Sequence, residues 1–476
     1  MEYKFKTGIK NLDEELLMGG FYKESLITIG GHPGAGKTTF AAMIAYHNGL
    51  EGKRTLYVSF QENKSKFYRH MKNFGMDLEQ LEREGRFMFI KLPLVATQEG
   101  AEEVVAKISG MIYELNADII IVDSINPLIE AYTPDISRRA VVQNFFYTLP
   151  ELTGGLAVLI AEIPFGQKDQ PILGSVDFVA DAVFILYHYI EQGQIVREME
   201  IRKLRGYPLN YARLPFFIRS GKGIVVWTPP RLELVPGMNP AKYLEPPCKI
   251  MEQYFGKLYK GEIILLSFPP DARPIKPIMY ALAVALVNDA KTLIMSYDMS
   301  PEEIKKILEI QLSETLNFDS KLVEKILKLF EKKTELIGIN PASFSAQELY
   351  SLFMDIITEK KPDLLLVLGV HKVLRKMLFK EAGDVKLFDN IILSLKAQGI
   401  FTMLAAAVSD PYEYNILSEL ADGVLKYNYI MGDGTVRKYI YAWMKGKDPT
   451  LFDTDVADSC CDEIKEKINK ILIKTK

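Results

Sequence analysis

The run Gly31-His32-Pro33-Gly34-Ala35-Gly36-Lys37-Thr38, followed by Thr39, has the spacing G-x-x-x-x-G-K-[ST]. Residues of these types at this spacing hold phosphate. The glycines let consecutive backbone N–H groups turn inward around an anion. Lys37 adds a mobile positive charge where β and γ phosphates lie, and the Thr38 hydroxyl can hold Mg²⁺. The following segment, TTFAAMIAYHN, reads as a helix whose positive end points at the same anion. The expected ligand is a nucleoside triphosphate, ATP with magnesium.

Two carboxylates extend this chemistry. Asp123 closes the apolar run DIIIVDS, and at a strand end beside Thr38 it can bind the water shell of the metal. Its blander role is to cap the next turn. Glu62 comes after TLYVSFQ, at a strand end that opens onto the ligand crevice of a parallel sheet. There it can orient or deprotonate an attacking water; otherwise it only opens the next helix. Gln61, one residue earlier, can orient a water but cannot take its proton.

These side chains need a scaffold that brings strand ends together. The runs LITIG, TLYVSF, DIIIVD and LAVLIAE are short and nearly continuous in apolar residues, and helical patterns such as residues 64–83 and 99–115 separate them. Strands of that kind are buried on both faces, which predicts a parallel sheet covered by helices. After Asp181 the runs FILYHY, VREMEIRKL and FFIRSGKGIVVW read as shorter, antiparallel strands that extend one edge.

The chain also repeats itself. Pro229, Pro230, Pro236, Pro240, Pro246 and Pro247 crowd residues 227–248, where helices and central strands cannot run. On either side, KESLITIGGHPGAGKTTFAAMIA faces KGEIILLSFPPDARPIKPIMYALA, TLYVSFQE faces TLIMSYDM, and ADIIIVDS faces PDLLLVLG. VADAVFILY with a later RKLRG then faces LADGVLKYN with a later AWMKG. Four matches in one order predict a tandem duplication, with domains over residues 1–230 and 248–476 and a linker over 231–247.

The first half resembles the KaiC branch of the RecA-like ATPases along nearly its whole length. The run TGIKNLDEELLMGGFYKESLITIGGHPGAGKTTFAA, then YVSFQE, DIIIVDS, VADAVFIL, KLRG and FFIRSGKGIVVW carry the likeness. The resemblance implies an α/β chain of two tandem RecA-like P-loop domains. Each would be a mainly parallel twisted sheet flanked by helices, with antiparallel edge strands. It implies ATP bound between neighbouring subunits of a homo-oligomeric ring, commonly a hexamer. It further implies that Lys203 and Arg205 reach the γ-phosphate of the adjacent protomer, where a basic residue supplied in trans stabilises developing charge. Read without the family, KLR is a surface charge pattern on a strand. The family often carries two adjacent glutamates where this chain has Gln61–Glu62, so slow hydrolysis with Glu62 as the better base is expected.

The second half keeps the strands and loses the chemistry. Residues 268–275 read FPPDARPI, with Pro274 in place of Lys37 and Ile275 in place of Thr38. Leu368 stands at the Asp123 position, Met299 at the Glu62 position, and Trp443 and Lys445 at those of Lys203 and Arg205. Prolines remove donors from a phosphate cradle and Asp271 repels the anion. A pseudo-ATPase domain is expected, with its surface left for ring packing or protein partners. Residues 460–476 place Ile464, Ile468 and Ile471–Leu472 on one helical face, for packing or for docking a partner.

Composition narrows the function classes. With 48% hydrophobic and 25% charged residues and a net charge of −3, the chain reads as an ordinary globular protein without the positive surplus that grips nucleic acid. The five histidines are scattered, and Cys248, Cys460 and Cys461 read as reduced thiols of a cytoplasmic protein. The N-terminus has no apolar signal region, and runs such as 119–122 and 281–287 are too short for a bilayer. The leading expectation is a slowly hydrolysing regulatory ATPase that works through assembly and protein partners. A recombinase-type DNA-dependent ATPase and a scaffold that holds ATP without turning it over are the alternatives.

Overall fold

The computed structural model describes every residue except 1–3, 94–96, 132–144, 164–178, 192, 229–233, 272–275, 379–384, 433–434 and 475–476. The chain divides into two compact units, Met1–Thr228 and Pro229–Lys476.

In the first unit the apolar runs form β1 (Ser25–Gly31), β2 (Thr55–Ser59), β3 (Phe87–Lys91), β4 (Ile119–Asp123) and β5 (Leu156–Glu162). They continue into β6 (Ala182–Glu191), β7 (Gln194–Leu204), β8 (Arg213–Arg219) and β9 (Gly223–Val226). The sheet order is β3-β2-β4-β5-β1-β6-β7-β8-β9. The first helix, α1 (Lys37–Leu50), is buried around most of its circumference, as its Phe40, Ala41, Ala42, Met43 and Ile44 require. The segment TGIKNLDEE is held by Asp13, which accepts from Thr7 N and Thr7 Oγ1, both at 2.8 Å, and from Gly8 N at 3.0 Å.

One strand differs from expectation. β6 is not antiparallel to its inner neighbour but pairs with β1 in parallel, and the antiparallel part begins between β6 and β7. Its first six residues, Ala182 to Tyr187, are all buried. That continuous apolar run is the mark of an interior strand. β6 and β7 are also long rather than short, at 10 and 11 residues.

The second unit contains β12 (Ile263–Phe268), β13 (Thr292–Ser296), β14 (Thr334–Gly338), β15 (Leu364–Leu368), β16 (Phe401–Ala407), β17 (Gly423–Gly432), β18 (Thr435–Met444) and β19 (Thr450–Asp453). Their order, β14-β13-β15-β16-β12-β17-β18-β19, repeats that of the first unit from β3 through β8, and among the described residues β9 has no counterpart. Both units are therefore mainly parallel α/β sheets with antiparallel edge strands, the RecA-like architecture. The repeat extends to single hydrogen bonds. Asp181 Oδ2 accepts from Leu26 N at 3.0 Å as Asp422 Oδ2 accepts from Ile263 N at 3.1 Å. Asp118 Oδ2 accepts from Arg54 N at 2.9 Å as Asp363 Oδ2 accepts from Lys291 N at 3.1 Å. Each aspartate fixes the start of a buried strand, so the two units share one frame.

Within residues 231–247, expected as a linker, Asn239–Leu244 forms β10 and pairs antiparallel with β11 (Leu258–Lys260). A strand with one partner tolerates Pro240 at its start. The cysteines need correction too. Cys248 and Cys460 form a disulfide across 212 residues of sequence, and Cys461 takes no part in one. The C-terminal helix, Thr454–Lys474, carries Cys460 to Cys248 by burying Cys461, Ile464, Ile468 and Leu472 in the core of the unit. No helix of the described residues is long and apolar enough to cross a membrane, and these residues contain no cluster of three metal-ligating side chains.

Glu262, at the base of β12, is 4% exposed, and burial pushes its carboxyl up to about 7. Asp422 raises it further, while the Tyr259 N–H and the charges of Lys396 and Lys447 act against the rise. The folded unit therefore holds this proton more tightly than the unfolded chain. The stabilisation is complete below about pH 4.5 and is lost as pH rises through about 7. Glu262→Gln is expected to stabilise the second unit at pH 8 by about 3 kcal/mol and to flatten this slope, as read by denaturant titration at pH 5 and pH 8.

Candidate functional site

The C-terminal ends of β2, β4, β5 and β1 are neighbours, so the segments leaving these strands meet at one edge of the sheet. Ser59 lies opposite Asp123, Asp123 opposite Ile160, and Gly31 opposite Glu162. An edge of this kind is where open α/β sheets hold ligands.

The loop between β1 and α1 takes the form its glycines allow. Gly36, the residue before α1, has φ +106°, and a Cβ there would stand 2.9 Å from Ile218 Cδ1. Only glycine suits that backbone, which delivers the N-terminal end of α1 to the loop. Lys37 is buried, and its Nζ donates to Gly31 O at 2.9 Å and His32 O at 3.0 Å. Burial lowers its pKa, while the charges of Glu162 and Asp123 oppose that shift. His32 is also buried and donates from Nδ1 to Ile163 O at 3.1 Å, tying the loop to the end of β5. Pro33 and Gly34 are exposed, Ala35 is buried and Thr39 is buried at the start of α1.

Thr38 Oγ1 donates to Asp123 Oδ2 at 2.8 Å, so the two expected metal residues touch. Tyr57, from the middle of β2, donates from its hydroxyl to the same oxygen at 2.7 Å. Burial raises the pKa of Asp123, and the bonds from Tyr57 and Thr38 and the charge of Lys37 hold it down. Hard oxygen donors beside a helix N-terminus and a lysine suit Mg²⁺ bound with a triphosphate. Thr38 and Asp123 are the residues that fit it.

Gln61 Nε2 lies 3.4 Å from Glu162 Oε1. The backbone N–H of Glu62 donates to Ser59 Oγ at 3.1 Å, and its carboxylate stands 3.7 Å from His70 Nδ1 on α2 (Lys64–Asn73). Gly34, Gly36, Lys37, Thr38, Thr39, Glu62, His70 and Arg197 line one open cleft of about 560 Å³. The phosphate loop, the candidate base and a cation from β7 thus share one space. The motif reading does not include His70 and Arg197, which line the cleft, or Tyr57 and Glu162, which contact its residues from beside it. Glu162 alone carried a usable signal, as the carboxylate closing the apolar run LAVLIAE.

Lys203 and Arg205 are not in this cleft. Lys203 pairs with Val183, which lies opposite Thr28, and Arg205 N donates to Asp181 O beside Leu26. They therefore lie about 10 and 17 Å down the sheet from Gly31, two strands away. Arg205 is exposed and 3.6 Å from Asp181 Oδ1.

A family model described as KaiC ATPase matches residues 5–231. The circadian clock protein KaiC3 of Synechocystis sp. is 23% identical over 474 residues, covering 96% of this chain and 90% of that protein. The chain is similar to KaiC proteins over both of its units, and its first unit matches the KaiC ATPase family. Single-domain likeness is also found: a UPF0273 protein of Thermotoga maritima is 26% identical over 241 residues, 47% of this chain and 96% of its own length. The circadian clock oscillator protein KaiC of Parathermosynechococcus lividus is 26% identical over 212 residues, 43% of this chain and 37% of that protein.

In the second unit of this KaiC-like chain the same edge is built differently. Pro274 and Ile275 lie outside the described residues. Leu368, in the place of Asp123, is buried, and Met299, in the place of Glu62, packs against the core. Asp298, one residue earlier, pairs with Lys372 at 2.6 Å. His371 accepts from Ala407 N at 3.1 Å, tying the helix after β15 to the end of β16. Asn126 does the same in the first unit, accepting from Glu162 N at 2.8 Å. Trp443 pairs with Val424 as Lys203 pairs with Val183.

Proposed function

We propose that the first unit binds ATP with Mg²⁺ and hydrolyses it slowly. The observation that carries this reading is the 2.8 Å contact between Thr38 and Asp123 beside Lys37, in a cleft that Glu62 also lines. Backbone N–H groups of residues 31–38 other than Pro33 would surround the phosphates, and Lys37 would neutralise the β and γ groups. The bound metal would supply Lewis-acid stabilisation of charge on the transferring phosphoryl group. Thr38 donates its hydroxyl proton to Asp123, which would leave its oxygen lone pairs available to the cation. Glu62 accepts the proton of the attacking water, and His70 orients that carboxylate. Gln61 positions the water without accepting a proton, which is the reason turnover is slow.

Lys203 and Arg205 serve a neighbouring copy in this reading. Their place far down the sheet from Lys37 leaves them remote from their own loop and suits donation in trans within a ring. Nucleotide then controls assembly, and the second unit, with Leu368, Met299 and Trp443 at the corresponding positions, supplies a surface for ring packing or protein partners.

Phosphate release separates this enzyme from a passive ATP holder. Wild type is expected to release phosphate in Mg²⁺-ATP, and Glu62→Gln to fall at least about 100-fold with ATP still bound, the range of a positioned general base. Equal rates in the two proteins would remove Glu62 from the mechanism. No release by either would leave a scaffold, and stimulation by DNA would favour the recombinase reading.

A further inference from the structure

We propose that Tyr57 is the positioning residue for the metal-binding carboxylate Asp123, orienting it through a hydrogen bond from outside the nucleotide cleft. The assignment rests on the Mg²⁺-ATP reading of this site.

Tyr57 lies opposite Ile121 on the adjacent strand, so Asp123 is its diagonal neighbour two residues on. Diagonal positions stand about 7–8 Å apart, a span that the length of a tyrosine covers. The hydroxyl reaches Asp123 Oδ2 at 2.7 Å, the oxygen that Thr38 Oγ1 contacts at 2.8 Å. Both donors hold Oδ2 in place and neither engages Oδ1. The tyrosine itself has no freedom to turn. Its side chain is 0% exposed, and its ring lies 4.8 Å from that of Phe67 and stacks on that of Phe89 at 5.6 Å.

The ring alone would be a packing residue, and phenylalanine would pack equally well among Phe67, Phe87 and Phe89. The hydroxyl adds a polar group to an apolar pocket, which is unfavourable without a partner. Its partner is Asp123. Groups that orient a metal ligand in this way typically change metal affinity 10–100-fold when removed.

Tyr57→Phe removes one oxygen and leaves the aromatic cluster in place. ATP binding to the full chain is measured by equilibrium dialysis, in EDTA and across a series of buffered free Mg²⁺ concentrations. The expected result is unchanged affinity in EDTA, with the free Mg²⁺ needed for half of the metal-dependent tightening raised about tenfold. A midpoint equal to that of wild type overturns the proposal. So does an equal loss of affinity with and without metal, which marks a purely structural role. In an Asp123→Asn background the same change is expected to do nothing further, because the two residues act as one unit. A full additional loss there means that Tyr57 works by another route and also overturns it. Wild type that binds no ATP under either condition overturns the nucleotide reading itself, and this assignment with it.

Discussion

Lys37→Ala is expected to lower the ATP affinity of the whole chain at least about 100-fold, which corresponds to roughly 3 kcal/mol. Lys37 is the buried cation whose Nζ reaches Gly31 O and His32 O at the head of the phosphate loop. Removing it leaves the anion facing Glu162 and Asp123 with its main counter-charge gone. A charge-assisted contact in a shielded site contributes about 1.5–3 kcal/mol directly, and the uncompensated carboxylates add to the loss. The effect reaches the whole chain because the second unit has Leu368 and Met299 where the first has Asp123 and Glu62. Calorimetry on the full chain is the check. One equivalent of ATP still bound by Lys37→Ala would place a working site in the second unit. The variant has a second use. Mixed with Arg205→Ala subunits, it is expected to restore part of the lost phosphate release, since one subunit then supplies the loop and its neighbour the arginine. Mixtures no more active than the separate variants would assign Arg205 a role within its own sheet.

The second large effect belongs to the disulfide. Replacing Cys248 and Cys460 together by alanine is expected to destabilise the second unit by about 2–4 kcal/mol under oxidising conditions, because a cross-link over a long loop restricts the unfolded chain. The bond joins the residue before the helix Lys249–Phe255 to the C-terminal helix, 212 residues later. Both sulfurs lie in the core, with Cys248 at 1% and Cys460 at 2% exposure. Denaturant unfolding without reductant, followed by probes placed in each unit, is expected to shift the transition of the second unit and leave that of the first in place. Two units need not unfold together, so the transitions are fitted separately. Thiol counting gives an independent reading: one reactive cysteine, Cys461, in the denatured oxidised protein and three after reduction. Three in both would refute the cross-link.

What the sequence determined by itself was the part of this protein written in short-range order. The phosphate loop is legible because its backbone needs glycine at fixed offsets before a lysine and a threonine, all within eight residues. The strands are legible because burial on both faces leaves an unbroken apolar run, and the duplication because those runs recur in order. Asp123, Glu62 and the loss of both at Leu368 and Met299 obey the same local rule, a side chain at the end of a strand.

Tertiary structure decided what depends on which strands lie side by side. Tyr57 is one more aromatic residue in TLYVSF until β2 and β4 pair and set its hydroxyl on Asp123. Arg197 reaches the cleft because β7 folds back along β6, and Glu162 comes near Gln61 and Lys37 because β5 lies beside β1. The parallel pairing of β6 and the meeting of Cys248 with Cys460 escape a reading of the residues for the same reason. Spacing along a chain carries no record of distance across a core, and hydrogen bonds, ion pairs and disulfides form across distance.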